Sequence, residues 1–212
     1  MADQQEPDRS AFAALSPTTL ADVLGGDRVM DIGIRPLWPG TPRIAGPAYP
    51  VRCAPGDNLM LHASIYRAPA GSVVVAEAGD VHYAVAGGNV CAVAQRRGIA
   101  GFVVDGVIRD LAEAREHRFP VFARGVIPSA GAKEALGVLD GPVTCGGVRV
   151  SPGDMVVADE EGVVVVPAAA LGAVLTAAGE RAAREAAQTL DEWEAAHRAR
   201  IEEALRASGF AG

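Results

Sequence analysis

Aromatic side chains make up only 5% of this chain, and no uninterrupted apolar run reaches the ~18 residues that a membrane helix needs. No membrane partner is therefore expected. With 50% of its residues apolar, the chain reads as a globular protein packed with Val, Ala and Leu rather than rings. Cysteine is sparse too: Cys53, Cys91 and Cys145 lie far apart without C-x-x-C spacing, which removes the common zinc and dithiol redox sites. Three reduced, mostly buried thiols in a reducing cytoplasm are the expectation. Positive charge is in deficit, and a net charge of −7 without a basic block argues against nucleic acid as a partner. The opening residues "MADQQEPDRSAF" lack the basic-then-apolar order of a secretory signal. G-x-x-x-x-G-K-[ST], G-x-S-x-G and H-E-x-x-H are absent, "GGNVCAVAQ" fails the spacing of G-x-G-x-x-G, and no adenosylmethionine loop follows a first strand. His62, His82, His117 and His197 share no ligand spacing and point to no site.

What the chain does have is alternation. "SPTTLADVLGG" predicts a helix capped by Ser16, begun at Pro17 and ended by Gly25-Gly26. The proline-dense stretch "RPLWPGTPRIAGPAYPVRCAPGD" predicts irregular or edge strands. "GDNLMLHASIYRA" follows as a helix with Leu59, Ile65 and Tyr66 available for a buried face, and "GSVVVAEAGD" as a strand between glycines. A second unit pairs the helix "GGNVCAVAQRRG" with the strand "IAGFVVDG", apolar enough to be covered on both faces. A helix from Asp110 to His117 and the strand "PVFARG" open the next. "GPVTCGGVRVSPGDMVVADEEGVVVVP" predicts short strands joined as hairpins at Gly-Gly, Pro-Gly-Asp and Glu-Gly turns. From Ala168 to about Arg206 the sequence predicts a long helix or a broken pair, with Glu180, Arg181, Arg184 and Glu185 on a solvated face. The pattern is that of an α/β or layered α+β domain over 1–167, with a helical extension over 168–212 that packs on its own domain or a neighbouring subunit.

Two features carry candidate chemistry. Gly87 and Gly88 bring bare backbone to a helix start, where unpaired N–H groups favour an anion such as a carboxylate. Arg109 and Asp110 stand at the end of the following apolar strand. A guanidinium grips a carboxylate through two parallel bonds, and an aspartate is a hard oxygen ligand suited to Mg²⁺. Together they suit a 2-oxo acid whose carbonyl faces a metal. A plainer reading stands beside this one: Asp110 as an N-cap with Glu113 completing a capping box, Arg109 paired with a neighbouring acid, and Gly87-Gly88 as an ordinary turn.

The run "AGGNVCAVAQRRGIAGFVVDGVIRDLAEAREHRFPVFARG" resembles the class II 4-hydroxy-4-methyl-2-oxoglutarate/4-carboxy-4-hydroxy-2-oxoadipate aldolases, a family that includes the regulator of ribonuclease E activity A. The glycine segment about twenty residues before an Arg-Asp pair carries the likeness. It extends more loosely from "SPTTLADVLGG" through "GVRVSPGDMVVADEEGVVVVP". The resemblance implies a layered α/β/β/α sandwich like the swivelling phosphohistidine domain, assembled as a homotrimer or homohexamer with sites between subunits. It implies that Arg109 binds a pyruvate carboxylate, that Asp110 holds Mg²⁺ or Mn²⁺ partly through waters, and that Gly87, Gly88, Asn89 and Val90 supply backbone contacts to a small 2-oxo-acid substrate. The implied chemistry is retro-aldol cleavage to pyruvate, with oxaloacetate decarboxylation through the same enolate. The chain departs from many members at Gly87-Gly88-Asn89, where they carry an acidic residue. The acid that members contribute from a neighbour's C-terminal region has no aligned counterpart here, with Glu185, Asp191, Glu192 and Glu194 as candidates. The other reading that the resemblance opens is a noncatalytic regulator binding a ribonuclease or another protein.

Overall fold

Short runs of β-branched residues that must be buried on both faces favour strands. In the computed structural model, which describes residues 9–210, the valine-rich runs form them. In chain order the elements are α1 (Arg9–Ala13), α2 (Pro17–Leu24), β1 (Arg35–Pro36), β2 (Ile44–Arg52), α3 (Leu59–Ser64), β3 (Val73–Glu77), α4 (Gly88–Arg96), β4 (Gly101–Ile108), α5 (Leu111–Glu116) and β5 (Val121–Val126). They continue with β6 (Val138–Leu139), β7 (Val143–Cys145), β8 (Val148–Val150), β9 (Met155–Asp159), β10 (Gly162–Val166), α6 (Leu171–Ala187) and α7 (Leu190–Ala207). One compact unit ends at Ala178 and a second begins at Gly179. Among the described residues no helix is long and apolar enough to cross a membrane.

The main sheet runs β1-β5-β4-β3-β2-β9-β10, with β2, β3, β4 and β5 parallel and the remaining pairings antiparallel. One face of the parallel strands, including Val74, Ala76, Phe102 and Val104, packs against Leu61, Ile65, Cys91, Ala94 and Ala114 from α3, α4, α5 and their ends. The opposite face, with Val73, Val75, Val103 and Phe122, meets Cys145, Val150, Val156 and Val165 from β7 to β10. On the outer side of β9 and β10 lies α2, whose Leu20 is fully buried. The expected α/β architecture is present, as a sheet that folds over on itself at β2. All three cysteines are free and buried.

The proline-dense stretch departs from expectation. Far from an edge, β2 is a nine-residue central strand containing Pro47 and Pro50. The reason is a change of partner. Residues Ile44 to Pro47 pair with β9, Ala48 to Arg52 with β3, and Val51 and Arg52 also with β6. Pro47 precedes the β3 pairing, whereas the Ala48 N–H points the other way, to the Asp154 carbonyl. By strand alternation Pro50 faces that same side, in the gap between the start of β9 and the end of β6. Neither proline deprives the ladder of a donor.

Two smaller corrections follow from geometry. Pro152-Gly153-Asp154 does not close a hairpin, because β8 pairs with β7 and β9 with β2 and β10; only the Gly-Gly and Glu-Gly turns do. Tyr66 is 58% exposed. Because α3 stops at Ser64, the Tyr66 ring falls outside the helical face and lies under the Arg97 guanidinium, 5.5 Å from its centroid. In the second unit, α7 opens on a capping box between Thr189 and Glu192, and Trp193 stacks on His197 one turn later.

Where β2 changes partner, a Cβ built on Gly46 would overlap the Gly71 carbonyl oxygen, a backbone atom that cannot swing aside. Gly46→Ala is expected to cost about 1–3 kcal/mol through overpacking, read as a lower urea midpoint at unchanged slope; an unaltered midpoint would show that β2 tolerates a shift.

Candidate active site

The site is built where β3 and β4 hand over to their helices. In open α/β sheets the carboxyl ends of parallel strands are the ordinary place for a ligand. A register shift between Val104 and Val107 offsets the end of β4, which stays paired with β5 through Val107 and Ile108. The loop after β3 lies along it: Ala84 bridges Val107 on one side and Ala130 on the other, and the Arg109 N–H donates to the Ala86 carbonyl at 2.9 Å. This rung carries the chain into Gly87, the N-cap of α4.

Asp110 does not behave as an N-cap. Its backbone is left-handed, φ 54° and ψ 43°, whereas a capping residue is extended, and it makes no side-chain cap on α5. The capping-box expectation for Asp110 and Glu113 therefore fails. Aspartate is among the few non-glycine types that enter this region readily. The twist turns its carboxylate to the neighbouring helix, where Oδ2 accepts from the Gly88 N–H at 3.2 Å and lies 3.4 Å from Arg109 Nε.

The glycines are required by this approach. A Cβ on Gly87 would come within 2.5 Å of Asp110 Oδ2, and one on Gly88 would overlap the Glu113 carboxylate. Gly87, Asn89, Val90, Arg109 and Asp110 all line one small cleft of about 70 Å³ open to solvent. Gly88 stands behind the wall, with its N–H committed to Asp110. The Arg109 and Asp110 side chains remain 45% and 39% exposed, so both are available to a ligand.

The opposite wall holds residues that the sequence did not single out: Asn58, His62 and Lys133. Asn58 and His62 are four residues apart at the start of α3, a spacing that places side chains on one helical face and was the only local signal. Lys133 arrives from a loop stitched to them by backbone. The Ala132 N–H donates to Gly56, the Asn58 N–H to Ala132, and the Asn58 side-chain amide to Gly131 at 3.0 Å. Burial first, then the positive charges of Lys133 and Arg109, push His62 below its ordinary range, against a hydrogen bond with the Val85 backbone. At neutral pH it is an uncharged imidazole.

Beneath this wall Asp57 acts as a clamp. Its carboxylate accepts from the N–H groups of Leu59, Glu134 and Ala135 at 2.7, 2.7 and 3.0 Å. Burial alone would raise its pKa, but these donors together outweigh it and hold the carboxyl below its ordinary value.

One acidic side chain lines the cleft, so a divalent cation there would have few protein ligands. Asp110 is the carboxylate in the cleft, and no group of three or more His, Cys, Asp or Glu among the described residues is arranged to hold a metal. Mg²⁺ suits such a place because it keeps several waters and binds through one or two carboxylates plus its substrate. Of the C-terminal acids, Glu192 is engaged in capping its own helix and Glu185 pairs with Arg181 at 2.9 Å.

Comparison with known proteins gives the family of the chain. The Aldolase/RraA family model matches residues 17–165, and the chain belongs to the RraA-like family. A protein of Halalkalibacterium halodurans, provisionally named a 4-hydroxy-4-methyl-2-oxoglutarate aldolase, is 41% identical over 157 residues, 74% of each chain. Among solved structures, Streptomyces coelicolor RraAS2, described as an unusual member of the RNase ES inhibitor RraA family, aligns with a TM-score of 0.73 at 30% identity, covering 91% of this chain and 96% of that one. The RNA-processing inhibitor RraA from Thermus thermophilis aligns with a TM-score of 0.65 at 31% identity over 72% of this chain and 92% of that one.

Asp57→Asn is expected to lower stability at pH 7 by about 1–3 kcal/mol, since a charged acceptor of buried N–H groups is lost. Because the folded pKa is depressed, the native contribution is complete above the ordinary value of 3.8 and disappears as pH falls through the lower folded value. Thermal unfolding between pH 7 and pH 3 should therefore be steeper at the acid end for the native protein than for the variant. Parallel curves would remove Asp57 as the clamp.

Proposed function

We propose that this protein is a divalent-metal-dependent lyase that cleaves a 4-hydroxy-2-oxo acid to pyruvate by retro-aldol chemistry, with oxaloacetate decarboxylation as a companion activity. The observation that carries this reading is the meeting of Arg109, Asp110 and the start of α4 in one cleft. The aldolase name of the relative from H. halodurans supports the same reaction class.

Arg109 presents its guanidinium to the substrate carboxylate, and the amides at the start of α4 add donors backed by the positive end of the helix dipole. Asp110, fixed by the Gly88 N–H, would hold the cation. That cation, when bound, supplies Lewis-acid polarisation of the 2-oxo group, so that charge developing as the C3–C4 bond breaks is stabilised. Lys133 gives the far wall a second positive charge, suited to an acidic group distant from the pyruvyl end. His62, uncharged at rest, can take a proton, becoming a cation, and then return it. Assembly into trimers or hexamers, with a C-terminal acid reaching a neighbouring site, belongs to the same reading.

A second reading has its own support, since the T. thermophilis neighbour is described as an RNA-processing inhibitor. A stable ribonuclease complex without turnover would favour that noncatalytic regulator.

With Mg²⁺ or Mn²⁺ the purified protein should release pyruvate from 4-hydroxy-4-methyl-2-oxoglutarate and lose that activity in excess chelator. Arg109→Lys is expected to raise KM about 10-fold or more, because a lysine cannot make the paired contact. Asp110→Ala should abolish turnover; retained metal-dependent activity in that variant would defeat the assignment.

A further inference from the structure

Asn58 is 2% exposed, and its amide nitrogen is fully used, donating to the Gly131 carbonyl at 3.0 Å and toward the Ala84 carbonyl at 3.5 Å. Those two bonds fix which end of the amide is which. Its Oδ1 is buried and accepts no hydrogen bond from any described residue. A buried acceptor without a donor is costly, and such groups are nearly always paired. Asn58 lines the same cleft as Arg109, Asp110 and Lys133.

The donors and acceptors of the cleft are unevenly matched. Arg109, Lys133 and the α4 amides all donate, and they suit carboxylates. Asp110 is an acceptor already shared between the Gly88 N–H and Arg109. Asn58 Oδ1 is a neutral acceptor without a donor, buried in a residue of the cleft wall, a poor partner for a carboxylate and a good one for an uncharged O–H.

At neutral pH a 4-hydroxy-2-oxo dicarboxylic acid has ionised carboxylates and a ketone, so its sole hydrogen-bond donor is the C4 hydroxyl. We propose that Asn58 is a specificity-determining residue whose Oδ1 accepts a hydrogen bond from the C4 hydroxyl of the substrate. This rests on the lyase reading above. It explains how one cleft distinguishes the aldol substrate from a 2-oxo acid of similar charge: a site built to bond a hydroxyl rejects the analogue lacking it, because the buried acceptor stays unpaired. Asn58 does not take up the hydroxyl proton, which must pass to another base; it orients the C4 hydroxyl so that the C3–C4 bond can break.

The test is a ligand pair that cannot be cleaved, 2,4-dihydroxyglutarate and 2-hydroxyglutarate, titrated calorimetrically into the full-length protein with Mg²⁺, with pyruvate as a third ligand. The native protein should bind the 4-hydroxylated acid at least about 10-fold tighter than its partner, and Asn58→Ala should bring the two within about 2-fold, the collapse that a protein–ligand cycle isolates. Asn58→Ala should also lower kcat/KM for retro-aldol cleavage about 10-fold more than for oxaloacetate decarboxylation, which a general loss of structure would not do. Equal affinities in the native protein overturn the proposal without any variant, so a misfolded Asn58→Ala leaves it testable. A native preference that survives in folded Asn58→Ala overturns it too. Pyruvate binding with no preference between the pair defeats the Asn58 assignment alone; failure to bind any of the three acids defeats the lyase reading with it.

Discussion

A single backbone N–H, that of Gly88, ties the start of one helix to the carboxylate at the start of the next, and the candidate site is arranged around it. Parallel pairing of β3, β4 and β5 sets α4 and α5 side by side with their N-terminal ends at the same edge of the sheet. Adjacent helices ordinarily stand apart by the width of their side chains. Here Gly87 and Gly88 have none, and the Asp110 and Glu113 carboxylates occupy the space that Cβ atoms would need. The approach gives Asp110 a partner outside its own helix, and the left-handed backbone at Asp110 is the conformation that makes this possible. A residue of ordinary capping geometry would satisfy α5 and leave the cleft without its carboxylate.

The second wall depends on backbone in another way. The segments around Asp57, Ala84, Ala130 and Ala132 are joined to one another, and through Val107 to β4, by isolated bridges. Such rungs are weaker than a sheet ladder. They are reinforced here by side chains that accept or donate to backbone: Asp57 toward 134 and 135, Asn58 toward 131, and Asp80 toward Gly56, His82 and Tyr83. Polar groups in short loops thus replace the apolar packing that secures the strands, leaving a wall of donors and acceptors rather than of methyl groups.

This division explains what could be read from the sequence. Valine runs bounded by glycine announce strands, and the two helix starts, one after Gly87-Gly88 and one after Arg109-Asp110, were visible with the residues that face the cleft. What local patterns could not supply was long-range pairing. Pro47 and Pro50 mark an edge strand under the usual rule, and only the change of partner within β2 shows why they sit in its middle. The pair Asp110 and Glu113 has the letters of a capping box, but Asp110 is left-handed and its carboxylate bonds to the neighbouring helix instead of its own. Asn58, His62 and Lys133 come from a helix start and a loop more than seventy residues apart, and their meeting depends on the bridge between Asp57 and Ala132 and on the bonds that the Asp57 and Asn58 side chains make to the same loop.

Net charge misleads in a similar way. An excess of acidic residues, −7 overall, would seem to discourage a dianionic ligand. Yet Arg43, Arg52 and Arg124 lie against Asp159, Glu77 and the pair Asp31 and Asp105, so these three positive charges outside the cleft are matched locally. Lys133 makes no ion pair with any described residue, and Arg109 has only an aspartate already shared with a backbone amide. At physiological salt, charges more than about 8 Å apart are largely screened in solvent, whereas contacts inside a cleft are much less so. A bound carboxylate therefore responds mainly to Arg109, Lys133 and the start of α4, and little to the acidic surface beyond. The global balance that argues against nucleic acid leaves a small anion free to bind, because polyanion binding sums charge over a surface while this site needs two cations and a few amides in register.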